Sequence, residues 1–180
     1  TVDTDVQHIA IDKLGGRIVG VELLDYTKSK TSKTPVSFVG QDDTNYLTSQ
    51  FGLTGDAAVV FNAPHSHTSL AKGQSSVSVT LEGTNAKGVS FKKHYTFYRG
   101  KYHFNVRTDV DNTSSTNYTG HPYAQLRQFV HDAPEVSGNF LEKISHMTRF
   151  NTFTGVSYYS SKDNYVKLAY KDLDEKQVDK

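Results

Sequence analysis

Apolar and polar residues alternate from Ser76 to Val110, and this predicts three consecutive strands. In the first, Val77, Val79 and Leu81 share one face, with Ser78 and Thr80 on the other. A turn cluster follows, Gly83-Thr84-Asn85-Ala86-Lys87-Gly88. The second strand places Phe91, Tyr95 and Phe97 on one face, interrupted by Lys93, for which the local pattern offers no reason. The third places Tyr102, Phe104, Val106 and Val110 on one face, opposite His103, Asn105, Arg107 and Asp109. With Arg99-Gly100 as the hairpin tip, Phe97 opposes Tyr102 and Tyr95 opposes Phe104. Both apolar sets then fall on the same side, whereas a slip of one residue would turn the aromatics of one strand into water.

The start of the chain predicts another hairpin. Ile9 and Ile11 alternate with polar neighbours, and Gly15-Gly16 breaks the pattern. Arg17 to Leu24 is apolar on both faces, which suits a strand covered on two sides. Residues 27–34 are polar and basic and read as an exposed loop, and 111–121 is a second loop rich in Asn, Thr and Ser. Further strands are predicted over Tyr123–Val130, Thr152–Tyr159 and Tyr165–Tyr170, and a short helix over Phe140–His146. The charged tail from Lys171 to Lys180 is expected to fray. No internal repeat or domain linker is visible, so the expected class is all-β, or β with minor α.

Composition narrows the functional classes. The chain has 180 residues and no cysteine, so disulfide frameworks and thiolate metal sites are excluded. The formal net charge of +1 argues against a nucleic-acid binder, which needs a concentrated basic surface. The longest apolar run, Ala57 to Phe61, is far short of the roughly 20 residues of a membrane helix. Aromatic residues make up 12%, too much bulky apolar material for a disordered chain. The chain starts at Thr1 with no signal-peptide pattern, which suggests a mature product or an excised piece.

Candidate chemistry is sparse. His65-Ser66-His67 puts two imidazoles on one side of an extended segment, a spacing that can chelate zinc or copper, but no further ligand is evident nearby. The other histidines, His8, His94, His103, His121, His131 and His146, are scattered, and His94 and His103 lie on the wetter strand face. Asp109 and Asp111 share a side at a strand end, as paired carboxylates of glycoside hydrolysis would, yet Asp109 also alternates with Arg107 and Asn105 as on a solvated face. Asp42-Asp43 and the run Asp172 to Glu175 read as solubilising charge. No nucleophile elbow or phosphate-cradling loop is present. Asn112-Thr113-Ser114 and Asn117-Tyr118-Thr119 match the glycosylation pattern. Tyr118 and Tyr158-Tyr159 could stack on a sugar ring or simply pack in a sheet.

The order of short motifs adds a resemblance. Val2-Asp3-Thr4-Asp5-Val6, Ile11-Asp12, Gly15-Gly16, Val21, Leu23-Leu24 and Tyr26 come first. Phe51-Gly52-Leu53-Thr54-Gly55, Phe91-Lys92-Lys93, Tyr98-Arg99-Gly100-Lys101-Tyr102 and Asn105-Val106 follow. Gln125-Leu126 and Phe153-Thr154-Gly155-Val156 complete the series. Together they resemble the large periplasmic domain of the YidC/Oxa1/Alb3 family of membrane protein insertases, with a departure over His131 to Asn151.

That resemblance implies a twisted antiparallel β-supersandwich of the galactose mutarotase-like type. Residues 1–180 would form one periplasmic domain, short of its final strands and of a C-terminal helical part. The implied function is that of a non-catalytic accessory module of an inner-membrane insertase, which acts alone or with the Sec translocon. The implied partners are SecD/SecF and nascent membrane proteins, not nucleic acid, with a Sec contact region from about Gly155 onward. The fragment itself would be monomeric or weakly associating. No catalytic, cofactor or metal residue is implied. A mutarotase-type aldose epimerase and a carbohydrate-binding module remain the alternatives, because fold alone does not fix function.

Overall fold

A computed structural model describes residues 1–41, 45–130 and 155–170. The chain divides into two compact units, Thr1–His131 and Asp132–Lys180. The first unit holds ten strands: β1 (Val2–Asp3), β2 (Gln7–Ile11), β3 (Ile18–Thr27), β4 (Pro35–Gln41), β5 (Asn45–Leu53), β6 (Thr68–Ser69), β7 (Ser76–Thr84), β8 (Val89–Tyr98), β9 (Phe104–Asn112) and β10 (Pro122–Val130). Seven form one sheet in the order β10-β5-β4-β3-β2-β1-β6, and β7-β8-β9 form a second. Every pairing is antiparallel except β1 with β6.

The core joins the two sheets. Val2, Ile9, Ile18, Val21 and Val39 come from the larger sheet, and Val77, Leu81, Phe91, Tyr95 and Phe97 from the smaller. Each such side chain contributes about 1.5–3 kcal/mol when fully buried. Val89 of β8 adds to the core, as do Val59 and Phe61 from the connection between β5 and β6. That connection is pinned to both sheets, by a bridge between Leu14 and Val60 and another between Asn62 and Glu82. At one edge, Phe51 of β5 meets Phe104 of β9 edge to face, with ring centres 5.8 Å apart. The all-β expectation therefore holds, as a sandwich of antiparallel sheets.

The second unit contains the hairpin β11 (Gly155–Ser160) and β12 (Asn164–Ala169), paired Tyr159 to Tyr165 and Tyr158 to Val166. Its turn places Asn164 at φ 59°, a left-handed conformation that Asn tolerates. The Ser160 hydroxyl closes the turn by accepting from the Asp163 amide at 3.0 Å.

Several details differ from the pattern-based expectation. The β7–β8–β9 meander is present, but Phe97 pairs with Phe104 and Tyr95 with Val106. The register is displaced by two residues, so the apolar faces still match. The cause is Tyr102, which leaves the ladder. Its hydroxyl donates to Asp25 at 2.9 Å, and its ring packs edge-on against Tyr26 at 5.8 Å. Gly100, at φ +64°, lets the loop 99–103 turn, and its amide bonds both carboxylate oxygens of Asp5 at 3.0 Å.

Gly83 is not a turn residue but lies within β7. A Cβ there would come 2.6 Å from Val59 Cγ1 and 3.0 Å from the Val60 carbonyl oxygen, so glycine permits the close approach of the 59–61 segment. The turn itself is built by Asn85, whose Oδ1 accepts from the amides of Lys87 at 2.9 Å and Val89 at 3.1 Å. β3 is buried at Ile18 and Val21 only, and from Glu22 onward its outer face is open, so it is not covered on both sides throughout. β4 and β5 are strands that alternation did not mark. The helix expected over 140–146 lies outside the described residues, as do 152–154 at the start of one expected strand.

Gly83→Ala is expected to lower the unfolding free energy by about 1–3 kcal/mol through overpacking against Val59 and Val60. The urea midpoint reads this directly, and an unchanged midpoint would contradict the close approach.

Candidate functional site

The inward face of β8 runs Phe91, Lys93, Tyr95, Phe97, all buried. A lysine in this row must find acceptors for its protons or lose its charge. Lys93 finds three. Its Nζ donates to the Gly15 carbonyl at 2.7 Å and the Phe51 carbonyl at 2.8 Å, and pairs with Asp56 Oδ2 at 3.0 Å. The ammonium group also sits 5.1 Å from the centre of the Phe61 ring.

Asp56 is fully buried and equally committed. Oδ2 accepts from the Leu53 amide at 3.1 Å, and Oδ1 from the Tyr123 hydroxyl at 2.9 Å. The turn between β2 and β3 holds Gly15 and Gly16 at φ +71° and +66°, and their carbonyls are the acceptors facing β8. Gly16 O accepts from the Tyr95 hydroxyl at 2.5 Å. A Cβ on Gly15 would lie 2.3 Å from Gln50 Nε2 and 2.7 Å from the Ala57 carbonyl oxygen, so no side chain fits at that turn.

Burial pushes Lys93 below the ordinary lysine range, and the hydrogen bond and charge of Asp56 only partly restore it. Burial also raises the Tyr95 phenol, helped by the Asp56 charge. Tyr123 is raised by burial, by its hydrogen bond to Asp56 and by that charge. With all three Lys93 protons in use, the arrangement supplies no free nucleophile or base. It is a polar lock inside the sandwich.

The residues singled out by pattern have other partners. His67 Nε2 lies 3.7 Å from Asp3 Oδ2, while its Nδ1 meets the Thr1 hydroxyl at 3.1 Å. His8 Nδ1 is in contact with Asp3 Oδ1 across the β1–β2 pair. Asp3 thus bridges an imidazole on β2 and one just before β6, while His65 stays exposed and outside this contact. Among the described residues, no three His, Cys, Asp or Glu side chains converge as a metal-binding group.

On the outer face of the smaller sheet, His94 bonds Thr80 Oγ1 at 2.9 Å and Asp109 Oδ2 at 3.0 Å, and Arg107 also donates to Asp109 at 2.9 Å. Partial desolvation raises Asp109, but Arg107 and His94 outweigh it and hold the carboxyl below its ordinary value. His94 and Asp109 thus bond each other directly on this face.

Tyr118 packs edge-on against Phe91 at 5.8 Å and donates its hydroxyl to the Thr54 carbonyl at 2.8 Å. It forms one wall of a cleft of about 720 Å³ that also includes Val59, Val60, Asn85, Lys87 and Asn117. The Asn112 amide is tied into its own loop, donating to Thr116 O at 2.8 Å and accepting from Ser114 Oγ at 2.7 Å. Tyr158 is half-buried, whereas Tyr159 is 72% exposed. Asp42, Asp43 and residues 172–175 lie outside the described residues. Asp56 escaped the pattern reading, although a lysine on an apolar strand face is itself the signal for a buried carboxylate partner.

The family model described as the YidC periplasmic domain matches residues 1–180. Among curated proteins, the chain is similar to a membrane protein insertase YidC of Haemophilus influenzae, 31% identical over 99% of this chain and 32% of the relative. Counterparts from Pasteurella multocida and Pseudoalteromonas translucida are each 30% identical, over 97% and 99% of this chain and 31% and 32% of their own length. The chain therefore spans about a third of the length of these relatives.

Lys93→Met and Asp56→Asn are each expected to cost about 3–5 kcal/mol, since each leaves its buried partner uncompensated, and the double variant should cost less than their sum. Strict additivity in urea unfolding would show that the two groups do not act as a pair. The raised tyrosines set an alkaline limit. A phenol raised in the folded state stabilises fully below its ordinary value of 10.0 and progressively less above it. Lys93, lowered in the fold, acts in the opposite sense only up to its ordinary 10.5. Stability should therefore fall above that pH, and more gently in Tyr95→Phe or Tyr123→Phe. Identical pH slopes for wild type and both variants would exclude this origin.

Proposed function

Because the chain belongs to the family of YidC periplasmic domains, we propose that it is the accessory and docking module of a membrane protein insertase. In this reading the longer parent inserts membrane proteins and helps them fold, alone or with the Sec translocon, and the domain works by binding rather than by chemistry. The carrying observation is the family match over residues 1–180, combined with relatives about three times longer whose printed name is membrane protein insertase. The remaining chain of the parent would supply the membrane-embedded activity, together with the last strands and a helical part that complete the sandwich. Among the described residues, no helix is long and apolar enough to cross a membrane.

The interior supports a scaffold role, since its buried cation and carboxylate are committed to each other and to the backbone. The β11–β12 hairpin supports a contact role. Tyr159 and Tyr165 form a cross-strand pair, 72% and 62% exposed. Exposed aromatic pairs on a short hairpin favour burial against a partner. In this reading those partners are SecD/SecF and nascent membrane proteins.

A domain held beside its partners meets them at high effective concentration, so its contacts need not be strong in solution. Affinity for soluble SecD or SecF domains is expected to be weaker than about micromolar, and a tighter complex in calorimetry would contradict the tethered-module reading. The parent coding sequence is expected to encode apolar spans on both sides of this domain. Their absence from the complete gene would overturn the insertase assignment.

A further inference from the structure

The tip of the β3–β4 hairpin carries Lys28, Lys30 and Lys33, all exposed. From Leu23 to Gln41 the one acidic residue is Asp25, and its carboxylate already accepts from the Tyr102 hydroxyl at 2.9 Å. The tip is internally bonded. The Lys28 amide donates to Thr34 O at 3.0 Å, the Ser32 amide to Ser29 O at 3.2 Å, and the Thr34 amide to Ser32 Oγ at 3.0 Å. Part of the tip's backbone is thus bonded within the turn, and the three lysine side chains are exposed.

The β8–β9 loop joins the same pole, because Tyr102 packs edge-on against Tyr26 at 5.8 Å, and it adds the exposed Lys101. Arg99 and Asp5 there lie 3.9 Å apart and offset one another. Among the described residues, no ion pair involves Lys28, Lys30, Lys33 or Lys101. The pole therefore carries four exposed lysines without an ion pair among the described residues, together with two tyrosines that are 53% and 41% exposed.

The chemistry of this pole selects its partner. Lysines on flexible stems meet phosphate as point charges and do not need the fixed forks that arginine brings to a folded acidic surface. Tyrosine rings settle at the boundary between headgroups and acyl chains, where the ring is dehydrated and the hydroxyl stays wet. We propose that this pole docks on the headgroups of an anionic lipid bilayer. The relevance of a nearby bilayer rests on the periplasmic-domain reading, but the binding itself does not. Each lysine at an anionic surface strengthens binding about fivefold, so the contact is weak for a free domain and sufficient for a tethered one.

The test is co-sedimentation of the 180-residue chain with vesicles of phosphatidylglycerol and phosphatidylcholine in equal parts, and with vesicles of phosphatidylcholine alone. Binding is expected to the anionic vesicles only, to fade at high salt, and to weaken about 100-fold in Lys28→Gln/Lys30→Gln/Lys33→Gln. The variant Lys13→Gln/Lys72→Gln/Lys87→Gln removes the same charge elsewhere and should bind like wild type. These lysines are exposed, so both triple variants are expected to keep the wild-type unfolding midpoint. Equal loss in the two triple variants would reduce the effect to net charge and overturn the proposal. So would equal binding to both vesicle types, equally tight binding to poly-glutamate, or displacement by inorganic phosphate at constant ionic strength. Failure here would leave the insertase reading intact, because that reading stands on the flanking spans of the parent gene.

Discussion

Between the two sheets of the first unit lies an ammonium group with no exposed surface, and the geometry around it admits little variation. Lys93 reaches from β8 to the Gly15 carbonyl of the β2–β3 turn, to the Phe51 carbonyl of β5 and to Asp56 beyond β5. Removing such a charge from water costs several kcal/mol, and only complete coordination offsets it. Each acceptor is consequently held in place by something else. Gly15 and Gly16 adopt left-handed conformations that favour glycine, Tyr95 ties down the Gly16 carbonyl, and Tyr123 of β10 bonds Asp56. Gly52 must lack a side chain, since a Cβ would lie 2.1 Å from Asp56 Oδ2. The acceptors come from the β2–β3 turn, from β5 and from the segment after β5, so the lock ties three parts of the first unit to β8.

That division of labour suits a docking module. Lys93 and Asp56 inside the fold are engaged with each other, and polar groups on the outer face of the smaller sheet are arranged as ladders. Ser78 with Thr96, Thr80 with His94 and Asp109, and Thr84 with Ser90 run across the outer face of β7-β8-β9. Such rungs keep a sheet face wet without making it reactive. Surfaces with unsatisfied character lie elsewhere, on the tyrosine pair of the second unit and at the lysine-rich pole of the first. Both suit contacts made at high local concentration, where specificity matters more than affinity.

On the surface of the first unit, imidazoles and carboxylates pair with one another. Its His–Asp contacts close on themselves: His94 bonds Asp109, and His8 and His67 gather on Asp3. These contacts brace a sheet face and a sheet edge.

Much of the architecture was legible in the chain itself. Period-2 alternation identified β7, β8 and β9, the hairpin around Gly15-Gly16, and the strands at 122–130, 155–160 and 164–169. It also assigned the inward faces of β7 and β8 correctly, because apolar side chains leave water whatever the partner strand is. The order of short motifs indicated the family that the whole-chain match then showed. Register was undecidable by pattern, since a shift of two residues preserves every face. The tertiary bond from Tyr102 to Asp25 settled it. β5 stayed hidden because a strand buried on both faces at Thr48, Ser49 and Gln50 has no reason to alternate apolar with polar. Gly83 looked like a turn residue until the 59–61 segment came to lie against it. Lys93 stood out as an anomaly in the sequence and became intelligible only in three dimensions, because its acceptors lie 42 and 78 residues away along the chain. A local pattern records which side chains avoid water, and only the closed fold determines which distant groups meet.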